Sequence, residues 1–392
     1  MKNVIITGAF RFPDKDAASQ RVLGLGKAIR ADGNNVVFCG WEDEPRTIDE
    51  NSDGSFFYQG FEYFSMKELD IPTSNIIDKL YKFITKGSKT LRFIKHYITI
   101  RPVDTIIVYN SNSYFLYKLF KYCKKKNIKL IADCTEYYQG AHLPGGKYGI
   151  ANLDNNFRIK IIYPKISNLI LISSYLKDYY VNKNCKVIIV PPLIDLNEDK
   201  WKAIISNKTN YPISIIYAGD PGKKDALLQI INALSIVNKN EINFKFNIIG
   251  VSYDKISNQF FNGKKIPNYI CPLGRVPMEK VPEFYSQNSY SILIRENKRY
   301  ANAGFPTKFV ESFASGVPVI ANLTSDLKLY LQEGKTGFIL KDNSTEELIT
   351  CLLKILDMHK CTYGDMVHNV HKISEDCFDF HNFVKLLNDY LK

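Results

Sequence analysis

Residues 304–311, Gly-Phe-Pro-Thr-Lys-Phe-Val-Glu, bring a glycine, a proline, a lysine and a carboxylate together at helical spacing. Proline at a first helical position sacrifices no hydrogen bond, and Gly304 before it permits close approach to the backbone. A helix starting at Pro306 leaves the N–H groups of Phe305, Thr307 and Lys308 pointing out of its end, a site for an anion such as a diphosphate. Phe309, Val310, Phe313 and Ala314 share one face of that helix, and Thr307, Lys308, Glu311 and Ser315 the other. Glu311 lies one turn behind the anion site, where a carboxylate escapes repulsion by phosphate and can accept both hydroxyls of a ribose.

Other stretches carry matching chemistry. In Gly-Asp-Pro-Gly-Lys-Lys-Asp (219–225), Gly219 permits a tight strand-to-helix turn. Lys223 and Lys224 then fall at a helix start, where a cation is unfavourable unless an anion neutralises it. Arg295 ends an apolar run and offers a guanidinium that grips a diphosphate bidentately as leaving-group charge develops. Near the N-terminus, Ala17, Ala18 and Ser19 let a helix start approach a phosphate, with Arg21 in its first turn. Asp133 and Glu136 close another apolar run and are read as acceptor-side or sugar-positioning groups, with loop capping as the alternative. Asp14-Lys-Asp16 has the form of a metal-binding triplet, but it stands in a loop before a helix and matches nothing else, so no metal is expected. His368 and His371 share a helix face without partners and read as surface histidines; His142 is a minor candidate.

These groups need a frame, and short apolar runs alternate with amphipathic segments from end to end. Strands are predicted at 3–7, 35–39, 104–109, 129–133, 168–172 and 186–190, with helices at 17–32, 74–98, 113–126 and 174–182. After the prolines of 190–199 and a polar linker at 206–212, a second series has strands at 213–219, 244–250, 268–271, 290–294, 317–322 and 337–340. Helices are expected at 223–238, 278–287, 325–333, 344–358 and 374–392, besides the one beginning at Pro306. Strands apolar throughout suit parallel sheets buried on both faces. The fold class is therefore α/β, with two Rossmann-like, doubly wound parallel-sheet domains, 1–195 and 212–373, facing a cleft and helix 374–392 packing back on the first.

The 392 residues hold 45% hydrophobic and 23% charged side chains, 25 Tyr and 24 Phe, which excludes a disordered chain. Eight scattered cysteines without a CxxC pair fit reduced thiols in a cytoplasmic protein. The net charge of +12 fits nucleic acid, an anionic membrane or a phosphorylated small molecule. Nucleic acid is set aside because no zinc-finger spacing, aromatic RNA-binding signature or arginine-rich arm is present. Residues 79–101 and 117–128 interleave aromatics and bases as an anionic membrane surface would favour.

Together, 217–234, Gly-Phe-Pro-Thr-Lys-Phe-Val-Glu-Ser-Phe-Ala-Ser-Gly-Val-Pro-Val-Ile-Ala (304–321) and Thr-Gly-Phe-Ile-Leu (336–340) resemble a family-4-type glycosyltransferase of the GT-B fold. The resemblance implies a retaining, metal-independent transfer from a UDP- or GDP-sugar to a glycan or lipid-linked acceptor, in bacterial polysaccharide or cell-wall glycan assembly. No further cofactor is implied. It places Glu311 on the ribose, Lys224 on the diphosphate, and Gly274, Arg275 and Val276 around the nucleobase. Two positions depart from the pattern: Asp220 stands where an arginine is usual, with Arg295 as the replacement, and Ala303 where a donor-sugar carboxylate is usual, with Asn302 or Glu296 as substitutes. A nucleotide-sugar epimerase on the same fold and a non-catalytic partner subunit are the alternatives.

Overall fold

The computed structural model describes the chain apart from residue 14, residues 43–50, 52–53, 69–74, 203–210 and 221–225, and the side chains of residues 76, 77, 79 and 359. The chain forms two compact units, Met1–Leu193 with Phe380–Lys392, and Ile194–Asp379.

In the first unit, strands β1 (Asn3–Gly8), β2 (Asn35–Gly40), β3 (Phe56–Tyr58), β4 (Phe61–Ser65), β5 (Thr105–Tyr109), β6 (Lys129–Cys134), β7 (Asn168–Leu171) and β8 (Lys186–Ile189) form one sheet. Its order is β3-β4-β2-β1-β5-β6-β7-β8, parallel except for β3 against β4. Helices α1 (Ala17–Arg30), α2 (Ile76–Thr85), α3 (Ser88–Ile100), α4 (Ser113–Lys126), α5 (Ile150–Phe157), α6 (Tyr163–Ile166) and α7 (Ser174–Tyr180) connect them. Val4, Ile6, Phe38, Ile107 and Ile131 are buried in its core, as a parallel sheet covered on both faces requires.

The second unit is wholly parallel. Strands β9 (Ile213–Ala218), β10 (Phe244–Ile249), β11 (Ile270–Gly274), β12 (Tyr290–Leu293), β13 (Val319–Asn322) and β14 (Gly337–Leu340) run in the order β11-β10-β9-β12-β13-β14. Around them lie α8 (Leu227–Val237), α9 (Tyr253–Phe260), α10 (Val281–Ser286), α11 (Arg299–Ala303), α12 (Thr307–Ala314) and α13 (Thr345–Cys377). The chain winds outward from β9 in one direction and resumes beside it at β12. The carboxyl ends of β9 and β12 are therefore the switch point at which α/β sheets bind ligands.

Four expectations change. The helix expected over 74–98 is two, because Gly87 adopts φ +92° at its middle and packs where a Cβ would meet the Phe115 ring at 2.6 Å. The β3–β4 hairpin was absent from the sequence reading; Gln59 and Gly60, both at positive φ, make its two-residue turn. Only a short 3-10 turn, Ser325–Leu329, stands where a helix over 325–333 was expected. The segment 374–392 is not one helix: α13 runs on to Cys377 because Tyr363, Met366 and Val370 continue its buried face. The chain then turns, and α14 (Val384–Leu391) packs Leu387, Tyr390 and Leu391 into the first unit's core. The division between units falls at Leu193/Ile194 and again at Asp379/Phe380.

Candidate active site

At the switch point of the second unit the backbone is shaped by glycine. Gly219, Gly250 and Gly274 follow or end β9, β10 and β11 with φ of +125°, +102° and +75°. A Cβ on Gly250 would lie 2.8 Å from Gly219 Cα, so these turns nest against each other. A Cβ on Gly219 would meet Lys308 Cε at 2.8 Å and Nζ at 2.9 Å. The Lys308 ammonium donates to the Tyr217 hydroxyl at 2.9 Å and stands 4.2 Å from that ring's centroid. A cation is thus held directly over the turn that ends β9.

Helix α12 supplies this lysine. It begins at Thr307, with Pro306 as N-cap rather than first helical residue, and no side chain caps it. The N–H groups of Thr307 and Lys308 precede the intrahelical ladder, whereas Phe309 N already donates to the Pro306 carbonyl at 3.0 Å. The ring of Phe305, just before the helix, is buried against Phe309, Tyr330 and Phe378. The helix is fixed by Ser312, whose hydroxyl is 2.7 Å from that of Ser291 on β12 and donates to the Val317 carbonyl at 2.7 Å. Glu311 follows Lys308 on the same face and is half-buried; no described side chain hydrogen-bonds its carboxylate. Burial pushes its carboxyl up, against the opposing charges of Lys308 and Lys200. The Tyr285 hydroxyl donates to the Lys308 carbonyl at 3.3 Å, and burial, then Glu311, push the pKa of its phenol up.

Arg295 stands one residue beyond Ile294 at the end of β12. Its peptide is gripped by Asn322 from β13, which accepts from Arg295 N at 2.9 Å and donates to its carbonyl at 2.6 Å. Ala226 N donates to the Ile294 carbonyl at 3.2 Å, returning the loop after Gly219 to the same strand end. Lys223 and Lys224 lie outside the described residues. Asp220, next to Gly219, takes the Lys255 ammonium on both oxygens, at 2.6 and 2.8 Å. Gly274 has open space where a Cβ would be, Arg275 is exposed, and Val276 packs beside Ile216 and Tyr285. Ala303 is fully buried; Asn302 holds Asn297 and the Ser325 amide, and Glu296 pairs with Lys298.

Three of the four first-unit candidates, Ser19, Arg21 and Asp133, are held in internal bonds. Arg21 Nε and Nη2 donate to Asp133 at 2.8 and 2.6 Å, and Nη1 donates to the carbonyls of Val190 and Pro191. The two side chains are 2% and 0% exposed, so neither reaches a phosphate or an acceptor sugar. Ser19 is buried in a capping box with Asp16, accepting its N–H while its own N–H bonds the Asp16 carboxylate at 2.8 Å. Asp16 therefore caps the start of α1, while Asp14 lies outside the described residues. Glu136 remains half-buried beyond β6, close enough to add to the burial that raises the Tyr109 phenol. His371 is not a surface residue: its Nε2 is buried over Gly316, and burial lowers its pKa.

Tyr217, Lys200, Lys255, Tyr285 and Asn322 were missed because each lies in a run that reads as ordinary strand, turn or helix. Glu42 was missed too. It is 1% exposed beyond β2, neither oxygen has a geometrically complete hydrogen bond among the described residues, and burial pushes its carboxyl up to about 8.

Residues 197–371 match the family described as Glycosyl transferases group 1. The protein is a glycosyltransferase. Its two-unit architecture is the GT-B fold, shared with sucrose-phosphate synthase from Thermosynechococcus elongatus at TM-score 0.73 and 14% identity, over 99% of this chain and 98% of that one. Anabaena Alr3699/HepE, solved in complex with UDP-glucose, superposes at TM-score 0.66 and 12% identity, over 100% of this glycosyltransferase and 98% of that chain. An uncharacterized 41.2 kDa protein in the cps region of Klebsiella pneumoniae is 23% identical over 333 residues, which span 81% of this chain and 83% of that protein.

Proposed function

We propose that this glycosyltransferase moves a sugar, with retention at the anomeric carbon, from a UDP- or GDP-sugar to a glycan or lipid-linked acceptor. The observation that carries this is Lys308 held over the Gly219 turn, one helical turn ahead of Glu311, whose carboxylate no described side chain hydrogen-bonds. The α12 N–H groups and Lys308 receive the diphosphate, Glu311 accepts the ribose hydroxyls, and the Gly274–Val276 turn receives the base. Arg295 and Lys224 complete the cationic shell around the leaving group. UDP-glucose in the Anabaena relative's structure supports a nucleotide-sugar donor, and the Klebsiella relative's place in a cps region supports work on surface polysaccharide.

In the reaction the bond between the anomeric carbon and the β-phosphate oxygen breaks, its electron pair leaving with the nucleoside diphosphate. The acceptor hydroxyl bonds to that carbon on the same face and passes its proton to the departing phosphate oxygen, so no protein base is needed. The chain's cations oppose the charge that grows on the diphosphate, so the interaction strengthens toward the transition state. Neither metal nor cofactor enters this scheme. A panel of UDP- and GDP-sugars is expected to show slow hydrolysis that persists in chelator and that Glu311→Ala lowers at least tenfold, on the order of a charge-assisted hydrogen bond lost. Calorimetry showing no binding of either nucleotide would overturn the proposal.

A further inference from the structure

The chain's whole net charge of +12 falls in residues 76–166, with 17 Lys and Arg against five Asp and Glu; the other residues balance at 35 against 35. Within that segment α2, α4 and α5 enclose an open groove of about 450 Å³. Its walls are apolar and wet: Leu153 is 61% exposed, with Phe157, Ile150, Ile84 and Tyr114 between 43% and 48%. Isolated exposed apolar side chains are ordinary, but a contiguous set marks a contact surface.

The groove is preformed. Asn112 Nδ2 donates to the Phe83 and Lys86 carbonyls, both at 2.9 Å, clipping the end of α2 to the start of α4. Asp154 accepts the Ser113 N–H at 2.9 Å and its hydroxyl, clipping α4 to α5. Both bonds fall on Oδ1 of that carboxylate, the one acid among the described residues that line the groove. Lysines stand beside the aromatic rim: Lys118 Nζ is 5.4 Å from the Tyr114 ring and Lys147 Nζ 5.8 Å from that of Tyr148, which is 85% exposed. Lys160 is exposed one turn beyond Phe157.

We propose that this face docks on a lipid bilayer with anionic headgroups, its aliphatic wall entering the acyl boundary and its lysines meeting the headgroups. It deepens the proposed function by giving a lipid-linked acceptor a surface from which to enter, and rests on that reading only for the acceptor. Charge complementarity selects this occupant. A second copy would set one strongly basic face against another, and a nucleic acid would leave the aliphatic wall in water.

The test is flotation of the full chain with vesicles of phosphatidylcholine alone or with phosphatidylglycerol, with nucleotide calorimetry on each protein. Wild type is expected to float with the anionic vesicles, and less so as salt rises. Lys118→Gln, Lys147→Gln and Lys160→Gln together should weaken that binding about fivefold per lysine. Leu153→Ser with Phe157→Ser should abolish flotation while nucleotide affinity stays at the wild-type value. Equal flotation with both vesicle types, variants that float like wild type, or a dimer broken by Leu153→Ser without flotation would each overturn the docking surface. Nucleotide binding that fails while flotation holds would instead remove the donor reading and leave this surface standing.

Discussion

Replacing Gly219 with alanine introduces two separable effects. At φ +125° an alanine is strained by about 1–3 kcal/mol, a cost to the stability of the second unit. The new methyl also occupies space within 2.8 Å of Lys308 Cε, and of the two the flexible lysine yields. Its ammonium then leaves Tyr217 and the turn. If that ammonium contacts the diphosphate, its displacement forfeits about 1.5–3 kcal/mol, or roughly 10- to 150-fold in affinity. Lys308→Met forfeits the same contact directly. The two lesions must therefore overlap, and a double-mutant cycle measured by calorimetry with UDP and GDP should show a coupling of at least about 1 kcal/mol. Thermal unfolding, run alongside, separates backbone strain, which Gly219→Ala carries and Lys308→Met does not. Losses that add to within about 0.5 kcal/mol, or a Gly219→Ala protein that binds nucleotide like wild type, would refute the idea that Gly219 is kept to make room for a working lysine.

Asp220→Asn should tighten nucleotide binding severalfold in calorimetry, since it removes a carboxylate beside the diphosphate and frees Lys255, whereas Lys255→Met should weaken it. Asp133→Asn leaves the Arg21 guanidinium buried without its counter-charge, so the first unit should lose about 3–5 kcal/mol in denaturant unfolding. Glu42, pushed up to about 8 by burial, is protonated in the fold while its unfolded form is ionised above the ordinary carboxylate range. Stability it permits below that range should fall by roughly 1.4 kcal/mol per pH unit as pH rises toward 8, and Glu42→Gln should flatten that slope in unfolding measured across the window.

Most strands were legible because parallel strands buried on both faces are written as unbroken apolar runs. Val-Ile-Ile-Thr beside Gly8 and Ile-Ile-Tyr-Ala beside Gly219 are examples. Helix ends were less legible because tertiary contacts set them. Gly87 breaks a helix where Phe115, 28 residues away, packs against it, and α13 continues past its expected end because its own buried face does. The Gly-Phe-Pro-Thr-Lys stretch was readable as an anion site since glycine, proline and helix start are local signals. What it could not reveal was Tyr217 beneath Lys308, 91 positions away, or Asn322 gripping the peptide of Arg295.

The carboxylates show why local spacing alone cannot separate function from architecture. Asp133 closes a strand and Glu311 stands within a helix, and the sequence places each near a cation without showing which of them that cation holds. In the fold, Asp133 receives two charge-assisted hydrogen bonds from one guanidinium, which in turn uses its remaining donor on two carbonyls. That arrangement is complete, and a ligand could enter it only by paying for a buried unpaired charge. Glu311 is burdened by burial and only partly relieved by Lys308 and Lys200, with no described side chain bonded to it. A pair of hydroxyls would supply what is missing, stabilising the ionised form and lowering its pKa. Nucleotide binding should therefore release a proton where Glu311 begins partly protonated, and Glu311→Gln should abolish that release; calorimetry in buffers of different ionisation enthalpy measures both. Release that survives the substitution would assign the proton to another group and remove Glu311 from the ribose.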